Sequence, residues 1–480
     1  MSIVTAARAR PDAAALDALT RRLRDDYGER AIVSRAVREQ HAHGEGLADA
    51  GVPDIVVFPH TNGEVASIVR GCNAARIPVI AFGVGTSLEG HVAALYGGVC
   101  VDLSQMNRVL EVNAEDLDCR VQAGVTREQL GIELKGTGLF FPIDPGANAT
   151  LGGMASTRAS GTNAVRYGTM RDNVLGLTVV TADGRTIHTG NRARKSSAGY
   201  DLTRLFVGSE GTLGIITEVQ LRLYGLPEAI SAAVCQFADL KGAVDSVIVA
   251  MQLGIPVARI ELLDDVQMDA CIRYSQLGEF AAKPTLFFEF HGTEAGVREQ
   301  AGMIESIAND HGGSQFQWAT KPEERSRLWK ARHNAYYAAL ALAPGKQAFA
   351  TDACVPISRL TDCVLETQAD IESTGLVAPI VGHVGDGNFH LVVLFDPAVA
   401  GEREKAEGLA ARVSRRAIAM GGTCTGEHGV GVHKLDALVA EHGEAVSLMQ
   451  AIKRALDPND ILNPGKTVPP RDPSPELPSP

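Results

Sequence analysis

The sequence has no cluster of lysine and arginine, and its formal charge is −12 at pH 7. A broad nucleic-acid surface needs such a cluster to meet phosphates, so nucleic acid is excluded as a partner. It has no CxxC pair either; Cys72, Cys100, Cys119, Cys235, Cys271, Cys354, Cys363 and Cys424 stand singly. That spacing excludes a disulfide-stapled scaffold, a haem-attachment CxxCH and a ferredoxin-like cluster, and leaves reduced, mostly buried thiols. No apolar run reaches the roughly 18 residues of a membrane-spanning helix, and the amino terminus lacks the apolar core of a secretion signal. Ala7-Arg8-Ala9-Arg10 weakly resembles a transit peptide, but Asp12, Asp17, Asp25 and Asp26 favour an ordinary amphipathic helix. The expectation is a cytoplasmic protein, at most peripheral at an inner membrane.

What remains is an ordinary globular composition, 45% hydrophobic and 21% charged over 480 residues, enough for about two or three domains with substantial cores. Leu16 to Tyr27 has helical spacing. From Asp54 onward short β-branched runs alternate with helix-like segments, beginning at Ile55-Val56-Val57-Phe58-Pro59. Thr61 followed by Glu64 predicts a capped helix through Cys72, and Val79-Ile80-Ala81-Phe82 predicts a strand.

Three glycine-rich loops follow. Gly83-Val84-Gly85-Thr86-Ser87-Leu88-Glu89-Gly90-His91 can aim successive N–H groups at an anion because little side-chain bulk intervenes. Pro142 to Gly153, running on through Ser160-Gly161-Thr162-Asn163, and Phe206 to Thr217 have the same character. Three such loops suit an extended dinucleotide. The first departs from the nicotinamide fingerprint, since Leu88 stands where the third glycine belongs, and no loop has the Gly-Lys-Ser/Thr of a nucleotide hydrolase.

The most informative stretch lies near the end, where His383-Val384-Gly385-Asp386-Gly387-Asn388-Phe389-His390 precedes Cys424-Thr425-Gly426-Glu427-His428-Gly429. Imidazoles and a carboxylate among glycines suit a divalent ion such as zinc or manganese, with a histidine left over to move a proton. The chain therefore reads as an enzyme.

These loops, with Pro142-Ile143-Asp144-Pro145-Gly146 and Gly208-Ser209-Glu210-Gly211-Thr212-Leu213-Gly214, occur in the order seen in FAD-linked oxidases and dehydrogenases of the vanillyl-alcohol-oxidase-like fold. The resemblance runs from about Asp54 to Lys466. Leu328-Trp329-Lys330-Ala331-Arg332-His333-Asn334-Ala335 is similar to a stretch of the cytochrome-linked D-lactate dehydrogenase branch.

The resemblance implies an α+β fold: an FAD-binding domain over residues 1–226, helical over about 1–50, and an antiparallel-sheet cap with covering helices over 227–433. Residues 434–480 would return to the FAD domain, with a disordered proline-rich tail from Val468. It implies non-covalent FAD held by Gly83, Gly85, Thr86, Ser87, Gly90 and His91, by Pro145, Gly146, Gly152, Gly153, Ser160, Gly161 and Asn163, and by Gly211, Ile215 and Ile216.

It further implies one Zn²⁺ or Mn²⁺ on His383, His390 and Glu427, His428 as general base and Arg332 as clamp for the substrate carboxylate. Asn388 is expected as a loop or supporting residue, and Asp386 as the group orienting a histidine. Ala350 and Val392 stand where the 2-hydroxyglutarate branch carries polar groups, so the expected substrate is a short 2-hydroxy acid such as D-lactate. Electrons must pass to an external acceptor, cytochrome c or a quinone, and a homodimer is an expected assembly. The competing readings are a glycolate oxidase flavin subunit, a D-2-hydroxyglutarate dehydrogenase, an alkyl-dihydroxyacetonephosphate synthase-like transferase and a non-catalytic flavin-binding subunit.

Overall fold

The computed structural model describes residues 10–46 and 51–470. Ala7 to Ala9 of the arginine-bearing opening and the proline-rich tail from residue 471 lie outside the described residues. The first helix is Ala13–Tyr27, capped by Asp12, and it buries Leu19, Leu23 and Tyr27. These positions recur at helical spacing, which is why the segment folds against the sheet behind it.

Four strands, Ala31–Ile32, Ile55–Val57, Val99–Asp102 and Val79–Phe82, form the first sheet in that spatial order, with the last three parallel. Helix Asn62–Ala75 connects two of them, with Thr61 Oγ1 accepting from the Glu64 N–H at 3.2 Å. Much later in the chain, Val79 donates to the Ile461 carbonyl at 2.7 Å and accepts from Asn463 at 2.9 Å, so residues 461–463 lie along this sheet's edge.

A second, antiparallel sheet of five strands runs Val109–Asn113, Asp118–Gln122, Ile215–Arg222, Val174–Val180 and Thr186–His188. The third glycine-rich loop ends in its central strand. Between Tyr224–Gly225, which pairs with Leu139–Phe140, and Ala229 the chain passes to an eight-stranded antiparallel sheet. Helices Leu240–Gln252, Glu294–Asp310, Leu360–Thr374 and Glu402–Ala419 bury one face of that sheet in a single apolar core. Helices Asp265–Ser275, Pro322–His333 and Ala335–Ala341 close its other face around Phe287, Trp329 and Leu394. Both faces being covered at its centre, the inner strand Asn388–Phe395 is buried along its whole length and largely apolar. A charged side chain inside such a strand is conspicuous.

Candidate active site

A cavity of about 1470 Å³ lies between the glycine-rich loops and the large sheet. Gly83, Gly85, Thr86, Ser87 and His91, Pro145, Gly146, Gly153, Ser160 and Gly161, and Gly211 all line it, as do Arg332, His383, His390, Glu427 and His428. Five residues expected to touch the cofactor do not line it. Gly90 is buried beside it, and Gly152 is a packing glycine whose Cβ would meet that of Ala123 at 2.5 Å. Asn163 is buried, its side chain donating to the Pro142 carbonyl at 3.0 Å. Ile215 and Ile216 point into apolar cores on the two faces of their strand, because successive side chains alternate.

The metal-binding expectation involves three segments that the fold brings together. His383 follows strand Ile380–Gly382, His390 lies in Asn388–Phe395, and Glu427 is in the loop after helix Glu402–Ala419. Their donor atoms all lie within 4.8 Å of one another. Glu427 Oε1 is 3.1 Å from His383 Nε2 and 3.3 Å from His390 Nε2. The opposite ring nitrogens are engaged elsewhere: His383 Nδ1 with Glu261 Oε1 at 2.7 Å and His390 Nδ1 with the Thr351 carbonyl at 2.9 Å. Each imidazole is thus held with Nε2 turned inward, the arrangement that fixes tautomer and aim in metal-binding histidines.

Glu261, not Asp386, orients His383, which corrects the sequence expectation. Asp386 makes no side-chain hydrogen bond to that ring among the described residues, and burial pushes its carboxyl up to about 7. Glu261 is fully buried in strand Val257–Leu263 and also pairs with Arg332 at 2.5 Å. Burial alone would raise its carboxyl, but the neighbouring His383 and Arg332 hold it below the usual range. The available signal was a carboxylate flanked by Ile260 and Leu262 in a strand that carries one other charged residue, Arg259.

Arg332 is buried, lines the cavity and keeps its Nε without a hydrogen-bond partner. Its Nη2 pairs with Glu261, while among the described residues nothing hydrogen-bonds its buried Nε. His428 stacks on His390 with ring centroids 5.0 Å apart, and its Nδ1 has no hydrogen-bond partner. Burial, His390 and Lys434 hold its imidazole below the ordinary histidine range against the pull of Asp352 and Glu427, which favours the neutral ring.

Asp352, also missed by sequence reasoning, holds that loop in place. Its buried carboxylate accepts from the backbone N–H groups of Glu427 and His428 at 2.8 and 2.9 Å, and from Thr425 Oγ1 at 2.8 Å. Asn388 donates to it at 2.8 Å, a supporting position. Beyond His428 the chain closes on the first glycine loop: Lys434 Nζ is 3.0 Å from Glu89 and His433 Nδ1 is 3.2 Å from it. Gly431, at φ +50°, sits so close to Glu89 that a Cβ would meet its carbonyl oxygen at 1.8 Å. Gly429, at φ +83°, packs likewise on Glu210 and His91. Glu210 accepts from the Val430 and Gly431 N–H groups at 2.7 and 2.8 Å, tying the third glycine loop to the same turn.

Residues 226–467 match the C-terminal domain of FAD-linked oxidases, and residues 53–190 match an FAD-binding domain. A probable mitochondrial D-lactate dehydrogenase of Danio rerio is 52% identical over 460 residues, covering 95% of this chain and 92% of the relative. The chain belongs to the FAD-linked oxidases. A mitochondrial D-lactate dehydrogenase [cytochrome] of Arabidopsis thaliana is 46% identical to this FAD-linked oxidase over 93% of the chain and 78% of the relative. A solved 4-ethylphenol oxidase from Gulosibacter chungangensis superposes with a TM-score of 0.78 at 19% identity, covering 96% of this chain and 99% of that one, which shows the α+β fold.

These relatives also correct the cytoplasmic expectation. Both carry "mitochondrial" in their names, which points to a mitochondrial rather than a cytoplasmic protein. Among the described residues, no helix is long and apolar enough to cross a membrane.

Proposed function

We propose that this FAD-linked oxidase is a D-2-hydroxy-acid dehydrogenase that oxidises D-lactate to pyruvate and passes the electrons to cytochrome c or a quinone. The observation that carries the reading is the convergence of His383, His390 and Glu427 beside Arg332 and His428 on the wall of one cavity with the glycine loops. The two relatives named above as D-lactate dehydrogenases support it.

Two imidazoles and one carboxylate suit Zn²⁺ or Mn²⁺, and the outward partners Glu261 and the Thr351 carbonyl are what such a site requires. A divalent ion there supplies the Lewis acidity that makes a hydroxyl more acidic, and FAD supplies the acceptor for the Cα hydride. The chain's own groups do the rest. Arg332 holds the substrate carboxylate, and His428 takes the hydroxyl proton on a ring nitrogen, leaving the keto acid. Asp352 positions His428 through its backbone N–H. Ala350 and Val392 line the cavity without a polar handle, which suits a methyl substituent rather than a second carboxylate.

In this reading FAD is non-covalent, with His91 packed against Glu210 at 3.2 Å, and the chain divides into domains 1–226, 227–433 and 434–480. A homodimer belongs to the same proposal and is read from the solution mass. The deciding experiment mixes the FAD-loaded protein anaerobically with D-lactate, L-lactate, glycolate and D-2-hydroxyglutarate, with and without a chelator. Fast, chelator-sensitive bleaching of the flavin by D-lactate is expected; bleaching by none of the four would overturn the reading.

A further inference from the structure

A second cavity of about 410 Å³ adjoins the first, and no step proposed above uses it. The two share Asp144, Pro145, Gly146 and His333 as a common wall. Gly146 adds no side-chain bulk to that wall, and a Cβ placed there would meet nothing within 4 Å. At the other end the cavity reaches Leu226, which is 60% exposed.

The lining is charged and mostly self-compensated. Arg259 Nη2 is 3.2 Å from Asp144 and its Nε is 3.4 Å from Glu289, while the same Nε donates to Asn163 Oδ1 at 3.0 Å. His291 bonds Glu289 through Nε2 at 2.9 Å and the Tyr167 hydroxyl through Nδ1 at 2.7 Å. Both acids therefore have partners. Arg127 differs: it lines the cavity, and among the described residues nothing hydrogen-bonds its buried Nε, so it adds a positive charge to the wall.

The inner end leads to the substrate clamp. His333 lines both cavities, and the preceding residue, Arg332, lines the main one. The metal donors themselves are nearly closed to solvent, and FAD in the glycine loops would fill that side of the main chamber. The main chamber itself reaches the surface at Tyr337 and Val439, and the second cavity offers a further way toward Arg332.

We infer that the second cavity is a port through which a small monocarboxylate enters and leaves the chamber, drawn by Arg127 and admitted past His333. Its volume falls in the lower part of the roughly 300–1,000 Å³ range of small-molecule sites, ample for a three-carbon acid. The identity of the acid rests on the D-lactate reading above; the route does not.

The test compares wild type with Arg127→Glu, which reverses the attracting charge, and Ile230→Trp, which fills the outer part of the cavity, all at matched FAD content. In anaerobic stopped-flow with D-lactate, both variants should lower the second-order constant for flavin reduction by about tenfold while the limiting rate at saturation holds. Quenching of the bound flavin's fluorescence by iodide, a small anion that needs no turnover, should weaken in parallel. Unchanged second-order constants and unchanged iodide quenching in both variants would overturn the port. So would a fall confined to the limiting rate. If wild type is not reduced by D-lactate, the substrate reading fails and the iodide measurement alone decides the route.

Discussion

Replacing Glu261 with glutamine removes one negative charge while keeping the shape of the side chain, and it acts on two groups at once. The carboxylate holds His383 Nδ1 at 2.7 Å and Arg332 at 2.5 Å, and it is fully buried. Removing the outer partner of a metal-binding histidine typically weakens the metal by about 10–100-fold, which is about 1.4–2.7 kcal/mol. Glu261→Ala should be worse for the fold, because an uncompensated buried guanidinium costs about 3–5 kcal/mol, whereas glutamine still accepts a hydrogen bond. The carboxyl sits below its ordinary value in the folded protein. Its stabilisation is therefore present above the unfolded value and lost as pH falls, so the deficit of Glu261→Gln should be largest near neutral pH and shrink in acid. The assay is zinc affinity by chelator competition, with FAD occupancy as the control, since Glu261 is not among the cavity-lining residues of the glycine loops. A variant that binds zinc within about twofold of wild type while retaining FAD would refute the assignment of Glu261 as the histidine's orienting group.

Three further outcomes are expected. Gly431→Ala places a methyl 1.8 Å from the Glu89 carbonyl at positive φ, so it should lower the melting temperature by the equivalent of about 1–3 kcal/mol and reduce bound FAD; calorimetry and flavin absorbance check both. Glu89 is pushed down to about 2, since Lys434, His433 and His428 outweigh the upward effect of its burial. Its stabilisation is lost as pH falls through that value, so Glu89→Gln should flatten the acid limb of the melting-temperature curve below the ordinary glutamate range. Ala350→Lys combined with Val392→Asn gives the cavity the polar handles it lacks, and the ratio of kcat/KM for D-2-hydroxyglutarate over D-lactate should rise by about tenfold or more in steady-state kinetics.

The sequence by itself carried the residues proposed as metal donors and proton acceptor and the glycine loops, because each resides in a short local motif. His383, His390, Glu427 and His428 stand among glycines that leave room around them, and such punctuation survives without the fold. Thr61 and Glu64 marked a helix start for the same local reason. What the motifs could not carry is which residues support them. Glu261 lies 122 positions from the histidine it orients, and Asp352 lies 75 and 76 positions from the amides it anchors. Nothing in their neighbourhoods announces those partners.

Strand alternation decided other cases against the motif. Ile215 and Ile216 follow a glycine loop, yet their strand turns them into cores, and Gly152 serves helix packing rather than an open cradle. A buried charge must find its counter-charge from whichever segment the fold brings near, and that choice is made by sheet order and register. The chemistry was therefore written locally, and its support, its charge balance and the second cavity came only with the tertiary structure.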